Sequence, residues 1–267
     1  MCRPSARLFA SAAIAAALAA GGCSTVGTPS LTDTTGSIRA EVKPRSDVEW
    51  RQEMDSWGTR YRANPADPDA AINYAQALRA VGQRAQAAAV LEQAAIHSPG
   101  NRAVLGAYGR ALADNGNFQQ ALEVLNRAHT QDQPDWRVLS VQGAVLDQMG
   151  RHAEAQRYYA SALRLMPDEP SVLSNLGLSY ALSKDLPQAE ATLRRAAEQR
   201  GAEPKVRQNL ALVVGLQGRF QEAETIARGD LSPAEAQANV AYLRQMLAEQ
   251  QRKKNQRGSP LSPSTRS

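Results

Sequence analysis

The chain has 267 residues, with 31 basic and 26 acidic side chains and a formal net charge of +5. Alanine supplies 48 of these residues and aromatics only 5%, so the 43% hydrophobic fraction is poor in strand-forming side chains. That balance excludes an all-β sandwich or barrel and speaks against a large parallel sheet. A pI of about 9.4 raises nucleic-acid binding as a question, to be answered by where the charge sits.

Residues 1–22 read as an export signal. Arg3 and Arg7 precede an uncharged apolar stretch over 8–20. As a helix that stretch rises only ~20 Å, too short for a bilayer core of ~30 Å. Ala20-Gly21-Gly22 then leads into Cys23, and the only other cysteine is Cys2. The body beyond Ser24 therefore has no thiol for a disulfide, a zinc site or a nucleophile. Two processing routes fit these residues. In one, the segment resembles a bacterial lipobox, and Cys23 is lipidated to become the acylated mature N-terminus. Ser24 behind it points, by analogy with lipoprotein sorting, to the outer membrane, with the body facing the periplasm. Several acyl chains at ~0.8 kcal/mol per buried CH₂ make a stable anchor. In the other route, cleavage after Ala19 releases a soluble periplasmic protein. Ala20, standing where lipoboxes usually carry leucine, keeps that route open.

Over 24–38, 11 of 15 residues are Ser, Thr, Gly or Pro. The stretch cannot bury a core, so 23–46 is expected to be a flexible tether. A helical pattern follows in Trp50, Met54, Trp57 and Tyr61.

The body then repeats every 34 residues. Ala87, Ala121, Ala155, Ala189 and Ala223 keep that step, as do Ala75, Gly109, Gly143, Gly177 and Ala211. Gly82, Gly116, Gly150 and Gly218 share another register, with Lys184 at its fourth place. Small residues let two antiparallel helices approach, glycine ends the first helix in the left-handed conformation, and proline stops the second. This is the tetratricopeptide (TPR) pattern of helix–turn–helix units. Five units are expected, at 68–101, 102–135, 136–169, 170–203 and 204–237, each with its first helix in roughly the first 14 positions. The expected fold is an all-α, right-handed TPR solenoid over 47–250. An N-terminal half-repeat and a capping helix that begins at Ser232-Pro233-Ala234-Glu235 close its ends.

The last segment, 251–267, holds Arg252, Lys253, Lys254, Arg257 and Arg266 without an acid, and is expected to be disordered. Without it and the export signal, 24 basic residues face 26 acidic ones. The working body is not basic, and no nucleic-acid partner is expected.

Catalytic signatures are missing: no phosphate loop, no G-x-S-x-G elbow and no H-E-x-x-H pair. His97, His129 and His152 lack metal-ligand spacing, and Glu92, Glu123, Glu154, Glu190 and Glu222 are expected mostly on solvated second-helix faces. No enzymatic activity, cofactor or metal is expected. In TPR arrays the first helices line a concave groove, with certain stations of each unit pointing into it. Here those stations hold Asn73, Gln76, Arg79, Arg110, Arg137, Asp147, Asn175, Leu178, Asn209 and Leu212. Asparagine at a recurring station is able to grip an extended peptide backbone without demanding a sequence. The arginines suit the N-terminal half to a carboxylate, and Leu178 and Leu212 make the other half apolar.

Longer strings carry a closer resemblance. "QPDWRVLSVQGAVLDQMGRHAEAQRYY", "NLGLSYALSKDLPQAEATLRRA" and "RQNLALVVGLQGRFQEAE", with "LSPAEAQANVAYLRQML" after them, resemble the TadD family. These are TPR lipoproteins of the tight-adherence (Flp) pilus assembly machinery. The resemblance implies a non-enzymatic outer-membrane component, a scaffold or pilotin for the pilus secretin, held by its lipid while the groove binds a partner segment. A TPR lipoprotein adaptor for outer-membrane or cell-wall assembly enzymes shares every physical feature above and is the alternative.

Overall fold

The computed structural model describes residues 46–258; the export signal, Cys23 and the expected tether up to residue 45 lie outside them, and Ser46, its last expected residue, caps the first helix. Among the described residues there are twelve helices and no strand. A first helix, α1 (Asp47–Ala63), precedes five helix pairs: α2 (Pro68–Ala80) with α3 (Arg84–His97), α4 (Arg102–Asp114) with α5 (Phe118–Leu125), α6 (Trp136–Gln148) with α7 (His152–Leu165), α8 (Pro170–Leu182) with α9 (Leu186–Ala197), and α10 (Pro204–Leu216) with α11 (Phe220–Ala227). The last helix, α12, runs Pro233–Gly258. Each pair begins at the first residue of an expected unit. The chain is an all-α TPR solenoid.

Local chemistry sets those starts. Asp67, Asn101 and Asp135 accept hydrogen bonds from the first free backbone N–H groups of α2, α4 and α6. The two later first helices have no such side-chain cap and begin, as α2 does at Pro68, with a proline, Pro170 or Pro204, whose missing N–H is no loss at that position. Each first helix ends in the same pair of backbone bonds, a Schellman turn. After α2, Gln83 N donates to Leu78 O at 2.8 Å and Gly82 N to Arg79 O at 3.1 Å. Lys184 adopts φ 70° at the place where the other units have glycine, and its turn keeps both bonds: Asp185 N to Tyr180 O at 2.9 Å, Lys184 N to Ala181 O at 3.0 Å. A side chain in that conformation costs about 1 kcal/mol. Lys184→Gly is therefore expected to raise stability by roughly that amount, read as a higher denaturant midpoint with unchanged slope.

Packing within a pair uses a small residue facing a large one sixteen positions later. A Cβ at Gly109 would lie 2.4 Å from Leu125, one at Gly143 2.7 Å from the Tyr159 ring, and one at Gly177 2.6 Å from Leu193. Leu125, Tyr159 and Leu193 are fully buried.

Both ends are closed. Met54, Trp57 and Tyr61 of α1 pack on the first core cluster, as a half-repeat would. At the other end Ser232 and Glu235 form the expected reciprocal cap of α12, and Ala236, Val240 and Leu243 bury its inner face. This helix continues to Gly258, eight residues into the stretch expected to be disordered from 251. No proline or glycine interrupts the run after Pro233, and its residues are mostly good helix formers.

Two second helices are shorter than the 34-residue pattern suggests, since α5 and α11 stop after 8 residues. Beyond α5, Gln142 occupies the station held by Tyr74 and Tyr108 in earlier units. It is buried, donates to Asn126 Oδ1 at 2.8 Å, and accepts from His129 Nε2 at 3.1 Å. Both partners lie just past the helix end, so the unwound turn satisfies a buried amide. Beyond α11, Asp230 replaces the alanine of other units and makes a two-point ion pair with Arg207 of α10.

The second-helix carboxylates are not all solvated. Glu92 and Glu123 are exposed, but Glu190 joins Arg194, Gln217, Arg219 and Glu222 in a network spanning α9 to α11. Burial by itself would raise the Glu190 carboxyl, yet bonds from Gln217, Arg194 and Arg219 hold it below the ordinary glutamate range. A depressed carboxyl contributes stability above its unfolded pKa of about 4.3 and loses it as pH falls through the folded value. Glu190→Gln should therefore flatten the acid limb of a stability–pH curve below about pH 4.5, measured by urea titration.

Candidate binding groove

Helix-to-helix contacts define the inner face. The first helices of successive units touch one another, α2 with α4, α4 with α6, α6 with α8 and α8 with α10, and α12 continues the row against α10. Among the described residues, the backbones of successive second helices do not approach closely, and they reach one another through side chains such as Arg194 of α9 and Glu222 of α11. A stack whose first helices are close and whose second helices are splayed is curved, with the first helices on its concave side.

On that face the N-terminal half differs from the C-terminal half. In the N-terminal half, a cavity of about 250 Å³ opens between α4 and α6, lined by Arg102, Ala103, Gly106, Ala107, Arg110, Asp135, Arg137, Val138 and Val141. Small residues at 103, 106 and 107 leave the room. Its arginines differ in their bonding. Arg79, one unit away, pairs with Asp114. Arg102 donates to Gln133 Oε1, and Arg137 lies over the Trp136 ring with its guanidinium carbon 4.4 Å from the centroid. Arg110 makes no hydrogen bond or ion pair among the described residues, although it is only partly exposed. Burial and the neighbouring charges of Arg79 and Arg137 push its guanidinium below the ordinary arginine range, against the pull of Asp114 and Asp135.

In the C-terminal half the asparagines are engaged in packing. Asn175 Nδ2 donates to Ser140 Oγ at 3.4 Å, and Asn209 Nδ2 to Ser174 Oγ at 3.0 Å. Each bond ties a first helix to that of the preceding unit, and Asn209, Ser140 and Ser174 are buried. These amides act first as inter-repeat ties. Asn73 likewise donates to Asp69 O within its own helix at 2.8 Å. Leu178 and Leu212 are half-buried on the same face, while Gln76 is exposed.

Asp147 presents no free carboxylate to the groove. It is buried and accepts from His152 Nδ1 at 2.8 Å, Ser179 Oγ at 2.8 Å and Tyr159 Oη at 3.1 Å, knitting α6, α7 and α8 together. Burial, with Asp147 alongside, drives the Tyr159 hydroxyl far above its ordinary range, so it stays a donor. Spacing alone concealed this role, because the partners lie 5, 12 and 32 residues away on three helices. Arg102, Gly106 and Asp135, which help build the cavity, also went unmarked by the sequence. The signal for the ties was present as a serine followed 35 residues later by an asparagine.

Among the described residues no group of His, Cys, Asp and Glu is arranged to hold a metal ion, and no helix is long and apolar enough to cross a membrane. The arrangement offers shape, charge and hydrogen bonds to a polypeptide.

A family model described as tetratricopeptide repeat matches residues 78–145 and 148–213, half of the chain. The chain belongs to the tetratricopeptide-repeat family. The matched spans include the α4–α6 cavity and both asparagine ties. TPR folds are typically non-catalytic scaffolds that bind protein partners, and this solenoid has that architecture. A protein of Sinorhizobium fredii (strain NBRC 101917 / NGR234), described as uncharacterized protein y4yS, is 35% identical over 104 residues, covering 39% of this chain and 57% of that one. The chain thus spans little more than half the length of this relative. Among solved structures, PilW, titled a widely conserved type IV pilus biogenesis factor, superposes with TM-score 0.62 at 17% identity, over 73% of this chain and 91% of that one. TTC0263, a TPR protein of Thermus thermophilus, gives 0.59 at 20%, over 66% and 98%. PilF of Pseudomonas aeruginosa gives 0.52 at 19%, over 72% and 90%. At these identities the likeness is one of TPR fold.

Proposed function

We propose that this TPR protein is a non-enzymatic, lipid-anchored scaffold of the outer membrane that holds an extended segment of a partner in its concave groove. The machinery it serves, on this reading, is the tight-adherence pilus, with the secretin as first candidate partner. The groove carries the proposal. It is a continuous face of first helices with an open, cationic N-terminal half and half-buried leucines further along. The TadD-like strings support the pilus assignment, and the fold shared with PilW, a type IV pilus biogenesis factor by its title, is compatible with it. Cys23, after a Gly-Gly pair at the end of an apolar stretch, supports the anchor.

Co-purification from detergent-solubilised membranes tests the partner. The proposal expects secretin or other pilus components to be recovered, and recovery of cell-wall or outer-membrane assembly enzymes in their place would overturn the pilus assignment. Radiolabelled palmitate tests the anchor. Wild type should label and Cys23→Ser should not, and an unlabelled wild type would show cleavage after Ala19 instead.

A further inference from the structure

We infer that the far end of α12 is a cationic arm that rests on an anionic lipid surface. This depends on the membrane setting of the proposed function and adds to it a second contact, made from the C-terminal end of the solenoid.

The packing of α12 stops well before the helix does. Ala236, Val240 and Leu243 are buried and Leu247 is half-buried, whereas Ala248 to Lys253 are all exposed. The helix still runs on to Gly258, so its end stands ~16 Å beyond the last packed side chain. Charge changes over the same stretch. Arg252, Lys253, Lys254 and Arg257 follow Glu249, the last acid in the sequence, and between residues 23 and 250 the bases number 24 against 26 acids. The arm is therefore a local cationic excess carried by a body of nearly balanced charge. Cations are favoured by the helix dipole within the last turn, which accounts for Arg257 but not for Arg252, Lys253 and Lys254 further in. Among the described residues Arg252 and Lys253 make no hydrogen bond or ion pair. The pattern along the helix points to lipid. Tyr242, Met246, Lys253 and position 257 recur on one side of α12 at spacings of a whole number of turns, and Tyr242 is 56% exposed. Glu249 falls on that side too, but accepts from Gln245 Nε2 at 3.1 Å. An exposed ring followed by cations suits a headgroup layer, where the ring lies among the headgroups and the cations meet phosphates. An acidic protein surface would match the charge and leave the ring without a role.

Vesicle sedimentation tests the arm. The exported Cys23→Ser protein, which carries no acyl group, is mixed with vesicles of phosphatidylcholine alone or of phosphatidylcholine with one-third phosphatidylglycerol. Binding should require the anionic lipid and weaken as NaCl is raised. Each cation near such a surface strengthens partitioning roughly fivefold, so Arg252→Gln, Lys253→Gln and Lys254→Gln together should weaken it about a hundredfold. Lys253→Arg with Lys254→Arg should keep it, because the charge is retained. Arg157→Gln with Arg164→Gln, on the exposed side of α7, should leave it unchanged. Equal binding to both vesicles, or anionic binding that survives the triple glutamine variant or falls as far in the α7 variant, overturns the arm. Failure to bind either vesicle overturns it as well and would leave an acidic protein surface as what the end of α12 meets. Palmitate labelling of the wild type reads the anchor separately, so the arm and the lipid anchor can fail independently.

Discussion

Replacing Asp147 by alanine should destabilise the protein by about 3–5 kcal/mol, the largest effect expected of any single polar substitution here. The carboxylate accepts from a tyrosine hydroxyl that is 1% exposed and a serine hydroxyl that is fully buried, and it pairs with His152 at the start of α7. Alanine leaves those donors without acceptors where water has little access, and each orphan costs roughly 1–3 kcal/mol. Asp147→Asn is the informative control. It keeps the shape and one acceptor oxygen but turns an N–H group toward a donor, so about half of the loss should remain. Because stability in a solenoid sums over units and their interfaces, the damage should be local. Hydrogen exchange should show α6, α7 and α8 losing protection ahead of α2 to α4. A uniform loss would assign Asp147 a role other than the tie described.

Gly143→Ala is expected to cost about 2 kcal/mol, even though alanine is the better helix former by about 1 kcal/mol. The added Cβ would lie 2.7 to 2.9 Å from three atoms of the Tyr159 ring. That ring cannot swing aside, since Tyr159 is buried and its hydroxyl is bonded to Asp147. The first unit places Ala75 and Leu91 at the same two stations, both fully buried. Gly143→Ala combined with Tyr159→Leu should therefore recover much of the loss, despite removing one donor from Asp147. Urea unfolding of the two single variants and the double variant measures the coupling. Strict additivity would show that the two side chains do not compete for the same space.

These two sites mark the boundary of what the residues alone disclose. Starts of the first helices were legible to the residue and their ends to within about one, because Asp67, Asn101, Asp135, Pro170 and Pro204 act on their own backbone or its first turn, and each helix has 13 residues where roughly 14 were expected. Even Lys184, where the glycine register lapses, kept the turn, since the helix pair on either side imposes it. Groove stations were legible as directions and less so as roles. Whether Asn175, Asn209 or Asp147 is free depends on what the neighbouring unit offers at hydrogen-bond distance, and a serine at 140, 174 or 179 decides that. The short α5 follows from one polar residue, Gln142, meeting partners beyond the helix end. Such outcomes are tertiary, and periodicity does not encode them. The basic pI misled for a simpler reason: its excess lies at the two ends of the sequence, outside the repeats.

Site-specific photocrosslinking in intact envelopes tests the account most directly. A photoreactive residue is placed at Gln76 or Leu178 on the first helices, or at Glu123 or Arg157 on the exposed faces of the second helices. Partner adducts should form from Gln76 and Leu178, and should weaken when Arg110→Glu is introduced alongside. Adducts confined to Glu123 and Arg157 would contradict a concave binding face.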